Sequence, residues 1–288
     1  MYTTLKEVTD QAEKLNMTVG AFNAHNLEML PEMIRGAKEV GAPIIIQTSV
    51  DTAKYIGMSL LVAVVKEIAE SEMVDAVLHL DHAREFNDIK EAIDSGYTSV
   101  MYDGSYLPFK ENIIKTQAVV AYAHKRGVSV EGELGTIGGT EEGIHVEEDD
   151  KVYTHPADAV AFVKATGVDA LAIAIGTNHG QFKSKTEVNI PLLKEIDEVV
   201  EVPLVIHGGT GVKEEDYPEL INNGIRKFNV GTELLVNWTQ TAKDSFEETA
   251  VNKSLRHNVM PANQKVKDIV KHKINLFMNV ESSTNLGE

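Results

Sequence analysis

VDAVLHLDHAREF, Val74 to Phe86, opens on apolar and β-branched residues and closes on an acid and an imidazole, with a charged, helix-favouring segment behind them. A near-continuous apolar run reads as a strand covered on both faces, as in a parallel sheet, rather than as a half-buried antiparallel strand. The same strand-then-helix unit recurs along the chain. VGAFNA (19–24) precedes a helix from Leu27, APIIIQTS (42–49) a helix around Leu60–Ala69, and VDAVLHLDH (74–82) a helix over Phe86–Asp94. YTSVMYDGS (97–105) precedes Lys110–Arg126, VSVEGELG (128–135) precedes a long loop and Ala157–Thr166, and VDALAIAIGTNHG (168–180) precedes Pro191–Val199. VPLVIHGGTG (202–211) with Glu214–Asn222, and IRKFNVGTE (225–233) with Leu234–Glu247, complete eight units. Eight such units predict an α/β protein with a closed (β/α)8 TIM barrel and an extra C-terminal helix, Pro261–Phe277. An open doubly wound sheet is the alternative, but no GxGxxG follows the first strand. Without a linker or low-complexity stretch, residues 1–288 read as a single barrel domain.

Composition narrows the chemistry. Cysteine is absent, which removes disulfides and thiolate nucleophiles, so any metal site must be built from His, Asp and Glu. A formal charge of −17 argues against nucleic acid and anionic membrane as partners, since both demand clustered Lys and Arg. No apolar span of membrane length is present, and the start MYTTLKEVTDQAEKL lacks an apolar signal core, so a cytoplasmic location is expected.

In a barrel of this kind, chemistry gathers at the C-terminal ends of the strands. The polar residues Asn23, Ser49, Asp81, His82, Asp103, Ser105, Glu131, Glu133, His179, His207, Asn229 and Thr232 all fall there. His82, His179 and His207 each follow an apolar run, and three neutral imidazoles leave one position open on a tetrahedral zinc ion, the pattern of a catalytic site. A lone strand-end histidine is more often a hydrogen-bonded core residue; agreement among three favours metal. The remaining histidines lack that placement, and His79, between Leu78 and Leu80, reads as packed inside. Gly180, Gly208, Gly209 and Gly211, with the Thr210 hydroxyl, can form an anion-binding concavity. Asn229, Gly231 and Thr232 sit at the start of the last helix, whose free N–H groups also attract phosphate, and Lys183 can add a point charge. A metal beside a phosphate pocket suggests a small phosphorylated carbonyl compound, with Asp81 as proton carrier or, alternatively, as an orienting partner of an imidazole.

These motifs together resemble the class II, zinc-dependent ketose-bisphosphate aldolases of the fructose- and tagatose-bisphosphate branch. The resemblance runs from AFNAHNLE through LHLDH, SVMYDGS, VEGELGTIGGTEEG, TGVDALAIAIGTNHG and PLVIHGGTG to KFNVGTEL. It implies reversible cleavage of a phosphorylated ketose to dihydroxyacetone phosphate and an aldehyde such as glyceraldehyde 3-phosphate. It further implies Zn²⁺ on His82, His179 and His207, with Glu133 approaching the ion in the resting form. Asp81 would exchange the C4 hydroxyl proton, and Glu141, in the loop after ELG, the proton on the dihydroxyacetone phosphate carbon. Gly180, Gly208 and Thr210 match positions that bind phosphate and a monovalent cation, Na⁺ or K⁺; Asn229 and Thr232 match enediolate and phosphate contacts, and Asn23 and Ser49 line the pocket. Gly231 stands where fructose enzymes usually carry Asp and tagatose enzymes Ala, which leaves the C4 stereochemistry open. Arg256 is in register with an Arg that reaches the distal phosphate, sometimes across a subunit boundary, but here it lacks the flanking Asp and Pro. Relatives are commonly homodimers or homotetramers. Rival readings are an aldolase for another ketose 1-phosphate, a zinc-dependent hydrolase, and a non-catalytic sugar-phosphate-binding subunit.

Overall fold

The computed structural model describes residues 1–136, 138–141, 144–146, 152–179, 187–209, 211–250 and 254–279; at 138–141, 144–146 and 178–179 it describes the backbone course. The strands are β1 (Val19–Asn23), β2 (Ile44–Ser49), β3 (Ala76–Ala83), β4 (Ser99–Tyr102), β5 (Ser129–Leu134), β6 (Gly138–Glu141), β7 (Ile144–Val146), β8 (Ala170–Ile173), β9 (Asn178–His179), β10 (Leu204–Ile206) and β11 (Ile225–Val230). The helices are α1 (Leu5–Leu15), α2 (Leu30–Val40), α3 (Val50–Ile56), α4 (Met58–Glu72), α5 (Phe86–Ser95), α6 (Phe109–His124), α7 (Pro156–Thr166), α8 (Ile190–Asp197), α9 (Tyr217–Asn222), α10 (Thr232–Glu248) and α11 (Leu255–Phe277).

Eight strands close in the order β1-β11-β10-β8-β5-β4-β3-β2, every neighbouring pair parallel, which is the expected (β/α)8 barrel. Outward residues such as Leu78, Leu80, Leu171 and Phe228 pack under the helices in the main core. Inward residues Val19, Ala21, Ile45, Val77, Ala170, Ala172 and Val205 form a separate inner cluster. What caps that inner cluster is α1, which stands outside the eight expected strand–helix units. Its N-terminus is fixed by a capping box: the Thr4 hydroxyl accepts from the Glu7 N–H at 3.3 Å, and the Glu7 carboxylate accepts from the Thr4 N–H at 2.9 Å. One face of the helix, Leu5, Val8, Thr9 and Ala12, is buried, and its apolar members join the inner cluster while Lys14 and Asp10 stay outside. The backbone N–H of Lys6 donates to Ser129 Oγ on β5 at 3.1 Å, which ties the plug to the barrel wall.

Three further differences from the expected elements have local causes. The segment after β2 holds two helices, because Gly57 at φ +101° ends α3 and leads directly into α4. The stretch read as a long loop after β5 contains β6 and β7, paired antiparallel, with β9 parallel to β6, so Gly139 stands opposite His179 in the ladder. Helix α11 begins at Leu255 rather than at Pro261, which lies inside it. It packs through Phe277 against Tyr217 and Phe228, with ring centroids 5.4 and 5.0 Å apart.

Because Leu5 is fully buried over the inner cluster, Leu5→Ala is expected to lower unfolding stability by about 2–5 kcal/mol in a urea titration. An unchanged midpoint would show that α1 does not carry the base of the barrel.

Candidate functional site

Successive residues of a strand face opposite sides of the sheet, so Asp81 and His82 should diverge. They do not, because β3 carries one residue more than β4 between the pairs Leu80↔Val100 and Ala83↔Tyr102. His82 takes the extra place with φ +47°, a left-handed conformation that costs a non-glycine residue about 1–3 kcal/mol. The bulge keeps Asp81 facing inward and turns His82 towards the same mouth.

There the His82 Nε2 lies 2.8 Å from His207 Nδ1, with the rings 4.6 Å apart and nearly perpendicular. Glu133 from β5 brings Oε2 to 3.6 Å from His207 Nδ1 and 3.8 Å from His82 Nδ1. Asp103, just past β4, lies 3.7 Å from His82 Nδ1. Asp81 Oδ1 is 4.0 Å from His82 Nε2. Two sets of donors, Asp81 with His82 and His207, and His82 with Asp103 and Glu133, each lie within 4.8 Å of one another, close enough to hold one metal ion. The donors are nitrogen and oxygen, as zinc accepts, and burial pushes the His207 imidazole below its ordinary pKa despite the Glu131 hydrogen bond, a shift towards the neutral form that a metal requires.

Asp81 is buried and held by three amides. Asn23 Nδ2 and Gln47 Nε2 each donate to its Oδ2 at 3.0 Å, Asn229 Nδ2 approaches its Oδ1 at 3.4 Å, and Gln47 Nε2 also reaches Asn23 Oδ1 at 2.8 Å. Among the described residues the hydrogen bonds to this carboxylate come from neutral amides, which fix its orientation without adding charge. Asp103 is supported differently. Burial raises its pKa, but the facing His82, the Ser105 hydroxyl and the Arg84 charge outweigh that and hold it well below the usual carboxylate range. Arg84 grips Asp103 Oδ2 through Nε and Nη2 at 2.9 and 2.7 Å and lies 4.9 Å over the Tyr106 ring.

The glycine-rich side of the mouth is built from β10, β11 and the start of α10. Gly208 and Gly211 have φ values of +63° and +93°, so the turn after His207 suits glycine. At Gly231 a Cβ would meet Asn23 Oδ1 at 2.8 Å; the missing side chain is what lets Asn23 close on Asp81. Thr232 is the first residue of α10, and Asn229 is the penultimate residue of β11, which is buried throughout. Ser49, in register with Asp81, spends its hydroxyl as the N-cap of α3, accepting from Thr52 N at 3.2 Å. The structure thus gathers Asn23, Asp81, His82, Glu133, His207 and Asn229. For Glu141 and His179 only the backbone is described, in β6 and β9; Gly180, Lys183 and Thr210 lie outside the described residues. Arg256 is exposed on the first turn of α11 and makes no hydrogen bond or ion pair with a described residue.

Against this geometry, the family model for class-II fructose-bisphosphate aldolase matches residues 3–282. The chain belongs to that family. Its members are lyases, and this chain is an aldolase of the class. It is 36% identical over 271 residues, 94% of this chain and 95% of the relative, to the D-tagatose-1,6-bisphosphate aldolase subunit GatY of Klebsiella oxytoca. Among solved structures, the YdjI aldolase from Escherichia coli K12 superposes with a TM-score of 0.84 at 31% identity, covering 96% of this chain and 97% of that one. A putative fructose-1,6-biphosphate aldolase from Coccidioides immitis gives a TM-score of 0.87 at 28% identity, over 97% and 98% of the two chains.

Sequence reasoning missed Gln47 and Lys227. Gln47 sits two residues before Ser49 on β2 and looked like part of an apolar strand; Lys227 alternates with Ile225 and Asn229, and a lysine at an inward barrel position was the available signal. Below the site, His79 is fully buried, as expected, and its Nδ1 meets Ser99 Oγ at 2.7 Å. Burial, helped by the Lys227 charge, takes its pKa from 6.5 down to about 3. Between those two values the unfolded chain binds a proton that the folded one refuses, so stability falls as pH drops through the window, by up to about 1.4 kcal/mol per pH unit. The urea midpoint is expected to be lower at pH 5 than at pH 7, and His79→Leu should flatten that dependence; an equally steep dependence in the variant would overturn the assignment.

Proposed function

We propose that this aldolase reversibly cleaves a phosphorylated ketose to dihydroxyacetone phosphate and an aldehyde such as glyceraldehyde 3-phosphate, with zinc bound at the barrel mouth. The observation that carries the reading is the convergence of His82, His207 and Glu133 beside an amide-held Asp81. His82 and His207 would hold the ion, with His179 assigned as the third ligand by its GTNHG motif alone, and Glu133 would supply a further oxygen. When bound, zinc supplies Lewis-acid polarisation of a ketone carbonyl.

The remaining work falls to the chain's own groups. Asp81 takes the proton of the substrate hydroxyl next to the bond that breaks. The carbon–oxygen bond there becomes the aldehyde carbonyl, and the pair of electrons from the broken carbon–carbon bond stays with the dihydroxyacetone phosphate fragment. Glu141 then returns a proton to that carbon. Asn229 reaches across the site, while Gly208, Gly209, Gly211, Gly231 and Thr232, with Gly180, Thr210 and Lys183, present backbone and side-chain donors to a phosphate, with a Na⁺ or K⁺ ion beside it. Asn23 and Ser49 flank the pocket. A substrate of the 1,6-bisphosphate type, fructose or tagatose, fits this reading, supported by the relative's name. Arg256, exposed and outside the cluster, would serve the distal phosphate from a neighbouring subunit of a homodimer or homotetramer. The whole chain acts as one barrel domain, and its cysteine-free, acidic composition supports a cytoplasmic setting.

A second reading comes from the relative's description as a subunit: the chain then needs a further protein for full turnover. Release of dihydroxyacetone phosphate by the purified chain alone, from fructose and from tagatose 1,6-bisphosphate, separates the two. Activity should vanish on chelation and return with zinc; turnover that survives metal removal would refute the metal reading. Asp81→Asn is expected to lower turnover by about 10²–10⁴-fold with zinc retained, and unchanged turnover would remove Asp81 as the proton carrier. His207→Ala should bind zinc more weakly by equilibrium dialysis, and full occupancy would contradict its role as a ligand.

A further inference from the structure

One layer beneath the mouth, the barrel interior holds a charge pair where apolar packing would suffice. Lys227 and Glu131 are both fully buried, with Nζ 2.9 Å from Glu131 Oε2. Withdrawing two ions from water costs several kcal/mol each, and well-packed apolar replacements are often as stable, so stability alone is a weak reason for such a pair. Its geometry offers a better one.

The Lys227 ammonium can only donate, and beside its ion pair with Glu131 it makes a hydrogen bond to Asn229 Oδ1 at 2.7 Å. The oxygen of that amide is therefore committed to Lys227, and its nitrogen is the end turned to Asp81 Oδ1, 3.4 Å away. On the other side, the second oxygen of the same Glu131, Oε1, lies 2.6 Å from His207 Nε2. An ionised carboxylate can only accept, so Nε2 carries the proton and Nδ1 is the lone-pair nitrogen, on the side where His82 Nε2 and Glu133 Oε2 stand.

We infer that Lys227 is a positioning residue shared by both halves of the site: it sets the amide orientation of Asn229 behind Asp81 and, through Glu131, the tautomer of His207. Lys227 touches neither the metal donors nor Asp81, and it acts through the two side chains between. The metal-facing half of this inference rests on the zinc reading above; the tautomer does not.

Two variants test it. Lys227→Met removes the ammonium at similar length, and Lys227→Met/Glu131→Gln removes both buried charges together, so that neither is left uncompensated. In metal-stripped, ¹⁵N-histidine-labelled protein, the His207 signals, assigned by their loss in His207→Ala, should show Nε2 protonated in the parent and a mixture of tautomers in the variants. Zinc affinity, read by competition with a chromophoric chelator, should fall by about 10–100-fold in both. With zinc saturating, kcat should remain depressed while KM changes little, because the orientation of Asn229 is not restored by metal. A folded variant that keeps the parental tautomer and zinc affinity would overturn the inference, and so would failure of both variants to fold, which would assign the pair to structure alone. If the parent itself binds no zinc, the metal reading fails separately, and the tautomer measurement still decides the role of Lys227.

Discussion

Alternation along a β-strand is the constraint on which this site turns. A regular β3 would send Asp81 into the barrel and His82 out under the helices, into a core made of Leu78, Leu80 and Ala83. One inserted residue and one left-handed backbone conformation at His82 bring acid and imidazole to the same side. Everything else at the mouth is arranged around that pair: His207 meets the imidazole, Asn23, Gln47 and Asn229 hold the acid, and Asp103 backs the ring. The backbone strain is tolerated because the flanking register on β2 continues to Ser49↔Asp81 and leaves the bulge little freedom to relax.

The polar layer below is organised by the same economy of space. Much of the barrel interior is linked side chain to side chain, since unpaired polar groups in a dry interior are expensive, although His79 Nε2 and Gln47 Oε1 make no hydrogen bond among the described residues. Ser99 takes one side of His79, Glu131 spans Lys227 and His207, and Lys227 continues to Asn229. Carboxylates gather here in a chain that is already strongly acidic, and Lys227 and Arg84 meet them from below and from the rim.

Much of this was legible in the residues. Continuous apolar strands alternating with amphipathic helices gave the barrel, and strand-end polarity gave Asp81, His82, Glu133 and His207. The inner plug was not legible, because α1 is polar on balance and buries only Leu5, Val8, Thr9 and Ala12; amphipathicity says that one face is covered, not by what. Helix α3, at seven residues, and strands β6 and β7, at four and three, are shorter than any periodicity needs to become visible. The bulge was hidden for a different reason. Nothing in the letters Asp-His marks an extra residue in the ladder; it is defined only by what stands opposite on β4. Lys227 shows the same limit, since its importance lies in Glu131, distant in sequence, and in a side-chain bond to Asn229 two residues on that the letters do not mark.

The plug formed by α1 has a consequence for traffic. With Leu5, Val8 and Ala12 seated on the inner apolar cluster, the end of the barrel opposite the strand C-termini is stoppered by the chain's own first helix. A ligand held at the mouth therefore comes and goes on the side away from that stopper, and the base of the barrel offers it no second route past the apolar cluster.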